Sequence, residues 1–157
     1  MREHQYKITT KWTGNKGTGT SGVSAYKRTH LILVDQKPEL ILTTDNALYG
    51  DKTLHNPEDL LTASISSCHM MSYLYLCALE GIVILDYIDN AVGSLIEDPK
   101  GGGKFKEVLL KPMFTVSKQS MVQKAIELHH EAHKICFIAN SVNFPVLIEP
   151  SCSVYAR

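Results

Sequence analysis

The chain predicts an α+β fold in which antiparallel sheets pack on two long helices, and three observations point to it. The first third is rich in alternating and β-branched residues. A strong helix start stands at Asn56-Pro57, and a second apolar-periodic stretch follows Ser120. With 157 residues and no visible repeat or linker, residues 1–157 read as one domain. A chain of this size buries roughly 68–70% of its unfolded surface, enough for a core without staples.

Tyr6 to Thr13 alternates apolar and polar and reads as a strand, followed by the turn cluster Gly14-Asn15-Lys16-Gly17. Val23 to Val34 reads as a second strand; Pro38 interrupts, and Glu39 to Thr44 resumes in the same style. Asp45-Asn46 and Gly50-Asp51-Lys52 mark loops. At the central helix Asn56 is a good N-cap, Pro57 suits the first helical position, and Glu58 and Asp59 favour the positive end of the dipole. Apolar residues then recur at Leu60, Leu61, Ile65, Cys68, Met71, Leu74, Tyr75 and Ala78, and are expected on the buried face. Gly81 is a natural stop, which makes the helix about 24 residues long. Ile82 to Gly93 and Phe105 to Val116 read as one strand each, on either side of the Gly101-Gly102-Gly103 loop. Ser117 or Ser120 is expected to cap the second helix, with Met121, Val122, Ala125, Ile126, Leu128, Ala132 and Ile135 on one side. Phe144 to Tyr155, broken by Pro145 and Pro150, reads as a last strand.

Sixteen basic and sixteen acidic side chains leave no formal net charge, which argues against nucleic acid as a partner, because phosphate binding needs a basic surface. The N-terminal Met1-Arg2-Glu3-His4-Gln5-Tyr6-Lys7 has no apolar run of the kind a signal peptide needs. Leu60 to Leu79 is about the length that spans a bilayer, but Thr62, Ser64, Ser66, Ser67, His69 and Ser72 make it too polar to face lipid. No membrane partner is expected. A cytoplasmic location follows, and there the four cysteines are thiols, not a disulfide framework.

Cys68 lies twelve residues beyond Asn56, too far for the helix dipole to hold a thiolate, so a reactive Cys68 needs a nearby cation. Arg2 and Arg157 stand at the chain ends, leaving Arg28 as the internal guanidinium. A planar, permanently charged fork holds a thiolate and orients a carboxylate well, although Arg28 equally fits an ordinary surface strand. Cys136, at the exit of the second helix, stands where a resolving thiol has room to swing; buried cysteines are also common small hydrophobes. His129, His130 and His133 with Cys136 offer a metal-binding alternative, which Cys68-His69 would complete. The spacing matches zinc patterns only in part, and helix-terminal histidines also simply suit the negative end of the dipole. No cofactor is called for. Cys77 and Cys152 carry no pattern.

Two segments then stand out together. Asn56-Pro57-Glu58-Asp59-Leu60-Leu61 runs into Ser66-Ser67-Cys68-His69-Met70, and Ala132-His133-Lys134-Ile135-Cys136-Phe137-Ile138-Ala139-Asn140-Ser141-Val142 follows later. They resemble the Asn-Pro-Glu and resolving-cysteine segments of the osmotically inducible protein C and organic hydroperoxide resistance (OsmC/Ohr) family. The resemblance extends over most of the chain, including the Gly17-Thr18-Gly19 turn. It implies an intertwined homodimer with active sites at the interface, acting as a thiol peroxidase on organic hydroperoxides. Cys68 would be the peroxidatic cysteine, Cys136 the resolving one, and Glu58 would hold the arginine that stabilises the Cys68 thiolate. An external dithiol would reduce the Cys68–Cys136 disulfide, a task that lipoylated proteins perform in one branch. The hydroperoxide-resistance branch carries its arginine in the N-terminal glycine-rich turn, where this chain has Lys16, so Arg28 is the candidate here. Ser-Cys-His-Met around Cys68 resembles a less studied branch. A non-catalytic ligand-binding or dimerisation module, with inert cysteines, is the other alternative.

Ten residues along one straight helix separate Glu58 from Cys68 by about 15 Å at roughly 1.5 Å per residue. Both can serve one thiolate only if the helix breaks or the glutamate crosses from a partner chain. The expectation is that it crosses.

Overall fold

The computed structural model describes residues 2–156, so Arg157 lies outside the described residues. The chain divides into two compact units, Met1–Leu60 and Leu61–Arg157. In the first, β1 (Thr9–Trp12), β2 (His30–Leu33) and β3 (Leu40–Leu42) form an antiparallel sheet in that order. The expected strand over Val23–Val34 shrinks to its last third, because Arg28 donates from one guanidinium nitrogen to the Val23 and Tyr26 carbonyls, at 2.6 and 3.0 Å, and curls that stretch into a loop. Gly14 is required beside it: a Cβ there would stand 1.8 Å from the Lys27 carbonyl oxygen.

Helix α1 (Pro57–Leu79) runs unbroken for 23 residues. Its start is a reciprocal capping box: Asn56 Oδ1 accepts from the Asp59 N–H at 2.8 Å, and the Asp59 carboxylate accepts from the Asn56 N–H at 3.2 Å. Its end is the predicted glycine, Gly81 at φ +68°, with the Ile82 N–H returning to the Cys77 carbonyl at 2.8 Å. The buried line differs from expectation. Ile65, His69, Tyr73 and Cys77 face inward, while Met71 is 60% and Tyr75 58% exposed. Apolar residues are spread over several faces of the helix, with small polar ones between them, so periodicity alone does not select a face.

Two of the three long strands expected after α1, Phe105–Val116 and Phe144–Tyr155, are two strands each, and Ile82–Gly93 holds one strand and only the start of the next, which runs on to Glu97. The three pairs are β4 (Ile84–Asp89) and β5 (Val92–Glu97), β6 (Gly103–Leu110) and β7 (Pro112–Val116), and β8 (Val146–Ile148) and β9 (Ser151–Val154). One strand of each pair enters the sheet β4-β7-β9 and the other enters β5-β6-β8. The middle break has a clear cause: the Lys111 N–H donates to the Asp89 carboxylate at 2.7 Å instead of to a neighbouring strand, and Pro112 has no N–H. The other Asp89 oxygen accepts from Ser66 of α1. Pairing is mixed rather than wholly antiparallel: β4–β7 and β5–β6 run antiparallel, while β6–β8 and β7–β9 run parallel. The crossover through α2 (Val122–Ile135) returns the chain in the direction of β7, as parallel pairing needs.

A short 3-10 turn at Gln119–Met121 leads into α2, and neither Ser117 nor Ser120 caps it through a side chain. Ala125, Leu128, His129 and Ala132 face inward, whereas Ile126 and Ile135 are exposed. Tyr73, Cys77, Phe114, Val116, Ala125, Leu128 and Ala132 form one buried cluster; Ile65, Val108 and Leu110 form another. Among the described residues, no helix is long and apolar enough to cross a membrane.

Candidate active site

Cys68 sits on α1 one residue ahead of the inward-facing His69, and is therefore only half-buried. Cys136 follows the last turn of α2 and is fully buried. The two side chains adjoin: burial, and then the neighbouring Cys68, push the Cys136 thiol up to about 11. The Ala139 N–H donates to Cys136 Sγ at 3.4 Å. All four cysteines are free, and burial also raises the thiols of Cys77 and Cys152.

Cys68 opens onto a groove of about 570 Å³ walled by Met71, Tyr75, Ile135 and Phe137, with Ser72, Lys134 and Asn140 at its polar edge. Phe137 is 82% exposed, an unusual position for an aromatic ring outside an interaction surface. Lys134 brings a cation to this groove that the sequence reading missed, although its Nζ is held by Glu131 at 2.8 Å. Spacing held the signal, since Lys134 precedes Cys136 by two residues.

The two other expected site residues, Arg28 and Glu58, form no ion pair with each other among the described residues. Arg28 stacks over the Tyr26 ring at 4.3 Å and donates from Nη1 to two backbone carbonyls. Among the described residues it forms no ion pair with any other carboxylate. Glu58 Oε2 is shielded from solvent and has no hydrogen-bond partner among the described residues. Lys16 donates to the Ser24 carbonyl at 3.3 Å.

The histidines serve a different arrangement from the metal set that the spacing offered. His69 Nε2 and His129 Nδ1 lie 3.0 Å apart, and His129 stacks on Tyr73 with ring centroids 3.8 Å apart. Among the described residues no three His, Cys, Asp or Glu side chains gather so as to hold a metal. Burial, with His133 adding to it and Asp89 opposing it, pulls His69 down to about 4; burial and then His69 pull His129 down to about 3. Both rings are neutral at neutral pH.

A stability consequence follows, with a definite sign. Unfolded imidazoles take up protons near pH 6.5, the folded ones only near 4 and 3, so the unfolded state binds more protons between these values. Stability is complete above pH 6.5 and drains away as the pH falls toward 3. Urea unfolding at pH 7.5 and 4.5 should show a loss on the order of 4 kcal/mol, much of it absent in a His69→Gln/His129→Asn variant. An equal loss in that variant would remove the pair as the cause.

The sequence pattern of the family described as OsmC-like protein matches residues 50–151. The fold is similar to an OsmC-like protein of unknown function from Vibrio cholerae, at 28% identity and a TM-score of 0.84, over 94% of this chain and 99% of that one. It is similar also to an organic hydroperoxide resistance protein OsmC from Legionella pneumophila, with 24% identity, a TM-score of 0.69, and 97% and 100% of the two chains covered. The organic hydroperoxide resistance protein OhrB of Bacillus subtilis matches at 22% identity and a TM-score of 0.62, over 96% of this chain and 98% of that one. Among curated proteins none matches. With the pattern covering nearly two thirds of the chain and the folds agreeing over almost its whole length, the chain belongs to the OsmC-like protein family.

Proposed function

We propose that the protein is a thiol-dependent peroxidase that reduces organic hydroperoxides. The observation that carries this reading is the adjoining pair of free thiols, one buried and one opening onto an apolar groove. The similar proteins from Legionella pneumophila and Bacillus subtilis bear the name of organic hydroperoxide resistance, which agrees with it.

The Cys68 thiolate attacks the terminal peroxide oxygen. The S–O bond forms as the O–O bond breaks, the sulfur is oxidised by two electrons, and the alkoxide leaves and takes a proton from solvent. Cys136 then displaces the hydroxyl from the sulfenic acid: the S–S bond forms, and the Cys136 proton leaves with that hydroxyl as water. An external dithiol, of the lipoylated kind or another, restores both thiols. Met71, Tyr75 and Phe137 offer an apolar wall to an alkyl substituent.

Glu58 and Cys68 lie on one unbroken helix about 15 Å apart, so a glutamate serving this thiolate comes from a second copy. Arg28 would then meet Glu58 across a homodimer that completes each site. A reducing cytoplasm keeps these cysteines as thiols between turnovers. The test is intact mass spectrometry of reduced protein given one equivalent of cumene hydroperoxide, with peptide mapping. Loss of two hydrogens, mapped to a Cys68–Cys136 crosslink, is expected; two free thiols in the presence of persisting peroxide would end the peroxidase reading.

A further inference from the structure

The mechanism makes no use of the most buried polar pair in the protein. His69 is 1% and His129 2% exposed, and they stand on different helices. Among the described residues their contact, His69 Nε2 to His129 Nδ1 at 3.0 Å, is the only hydrogen bond either ring makes, since His69 Nδ1 and His129 Nε2 have no partner there. A buried polar group that loses its one partner keeps the whole cost of having left water. A slide or rotation of α1 against α2 breaks this bond for both rings at once. The stacking of His129 on Tyr73, at 3.8 Å and 10° between planes, further restricts the ring to one orientation.

His69 is the next residue to Cys68 on α1, and His129 lies seven residues, two helical turns, before Cys136. Disulfide closure is demanding at this place, because the bond forms only over a narrow range of Cβ separation and dihedral angle. We propose that the His69–His129 hydrogen bond is a register lock between the helices, and that these are positioning residues which hold Cys68 against Cys136 for disulfide closure. The proposal rests on the peroxidase reading for its role in turnover. The geometry it concerns is independent of which oxidant acts.

The position of the bonded atoms dictates the variants. An asparagine amide at 129 stands where imidazole Nδ1 stands; a glutamine amide of the same polarity reaches one methylene too far; leucine removes the polar group. Reduced wild-type, H129N, H129Q and H129L proteins are treated with cumene hydroperoxide, and Cys68 sulfenic acid is trapped with dimedone while disulfide formation is followed in parallel. Sulfenic acid formation is expected at the wild-type rate in all four. Closure is expected within about threefold of wild type in H129N and at least tenfold slower in H129Q and H129L, with sulfinic acid accumulating in those two. Loss of packing alone would slow H129N as well, and would disturb both steps together. If H129L does not fold, the two amides still decide: H129N closing no faster than H129Q overturns the proposal, as does wild-type closure in H129L.

Diamide, a two-electron thiol oxidant that drives the same closure without peroxide, separates the two readings. If the wild type ignores peroxide but closes with diamide, and H129N outpaces H129Q, the lock stands and the peroxidase reading falls. Equal diamide closure in H129N and H129Q refutes the lock, whatever the peroxide result.

Discussion

Cys68→Ser is expected to lower peroxide consumption at least ~1000-fold, equivalent to about 4 kcal/mol of barrier. A serine hydroxyl is almost the same size, so the half-buried site and the helix are undisturbed. What is lost is the only ionisable nucleophile on the groove wall that also adjoins a second thiol. Cys136→Ser should behave differently. Its first equivalent of peroxide is consumed at close to the wild-type rate, but the sulfenic acid then persists and excess peroxide drives it to sulfinic acid. Cys77→Ser and Cys152→Ser should retain turnover, because burial holds both thiols protonated and neither lines the groove. A peroxide-consumption assay on the four variants checks the assignment. Undiminished consumption by Cys68→Ser would transfer the chemistry to another residue.

Tyr73→Ala is expected to destabilise the fold by about 3–5 kcal/mol, the usual cost of deleting a fully buried aromatic ring. Tyr73 has no exposed surface, belongs to the cluster between the helices and β7, and packs against Phe114 with ring centroids 5.3 Å apart, as well as stacking on His129. The cavity left behind would open directly beside the imidazole pair. Tyr73→Phe isolates the hydroxyl, which has the weakly bonding Cys77 thiol beside it and no hydrogen-bond partner among the described residues, and should change stability by under about 1 kcal/mol. Denaturant midpoints of both variants measure the difference. A cost for Phe close to that for Ala would mean that the hydroxyl, and not the ring, holds this part of the core.

Cys68 and Cys136 were both named from sequence, one on a long helix and the other at a helix exit, and the fold brings them side by side. The groove facing Cys68 is legible only in part: of the apolar residues around Cys68 that suit an alkyl-bearing substrate (Met70, Met71, Leu74, Phe137 and Ile138), Met71 and Phe137 wall it. Its wall is made by residues that the apolar periodicity of α1 assigned to the core, Met71 and Tyr75 among them. Arg28 stands out by scarcity, and scarcity carries no information about direction: within the chain its Nη1 is turned to the Val23 and Tyr26 carbonyls of its own loop.

By itself the sequence determined what depends on neighbours along the chain. The Asn56 cap with its Asp59 return bond, the Gly81 stop at positive φ, the length of α1 and the presence of strand-forming segments are all local matters of backbone hydrogen bonding and steric freedom. Only the tertiary structure decided the division of the long strands between two sheets. It depends on Asp89 taking the Lys111 N–H across 22 residues, and on a helical crossover that makes two of the pairings parallel. It also decided which side of α1 is inside. A helix with apolar residues on several faces can turn more than one of them to the core, and the face chosen places His69 where a second imidazole, 60 residues away in the chain, bonds its Nε2. A buried polar group is tolerated only where its partner is, and the position of a distant partner is a property of the assembled fold.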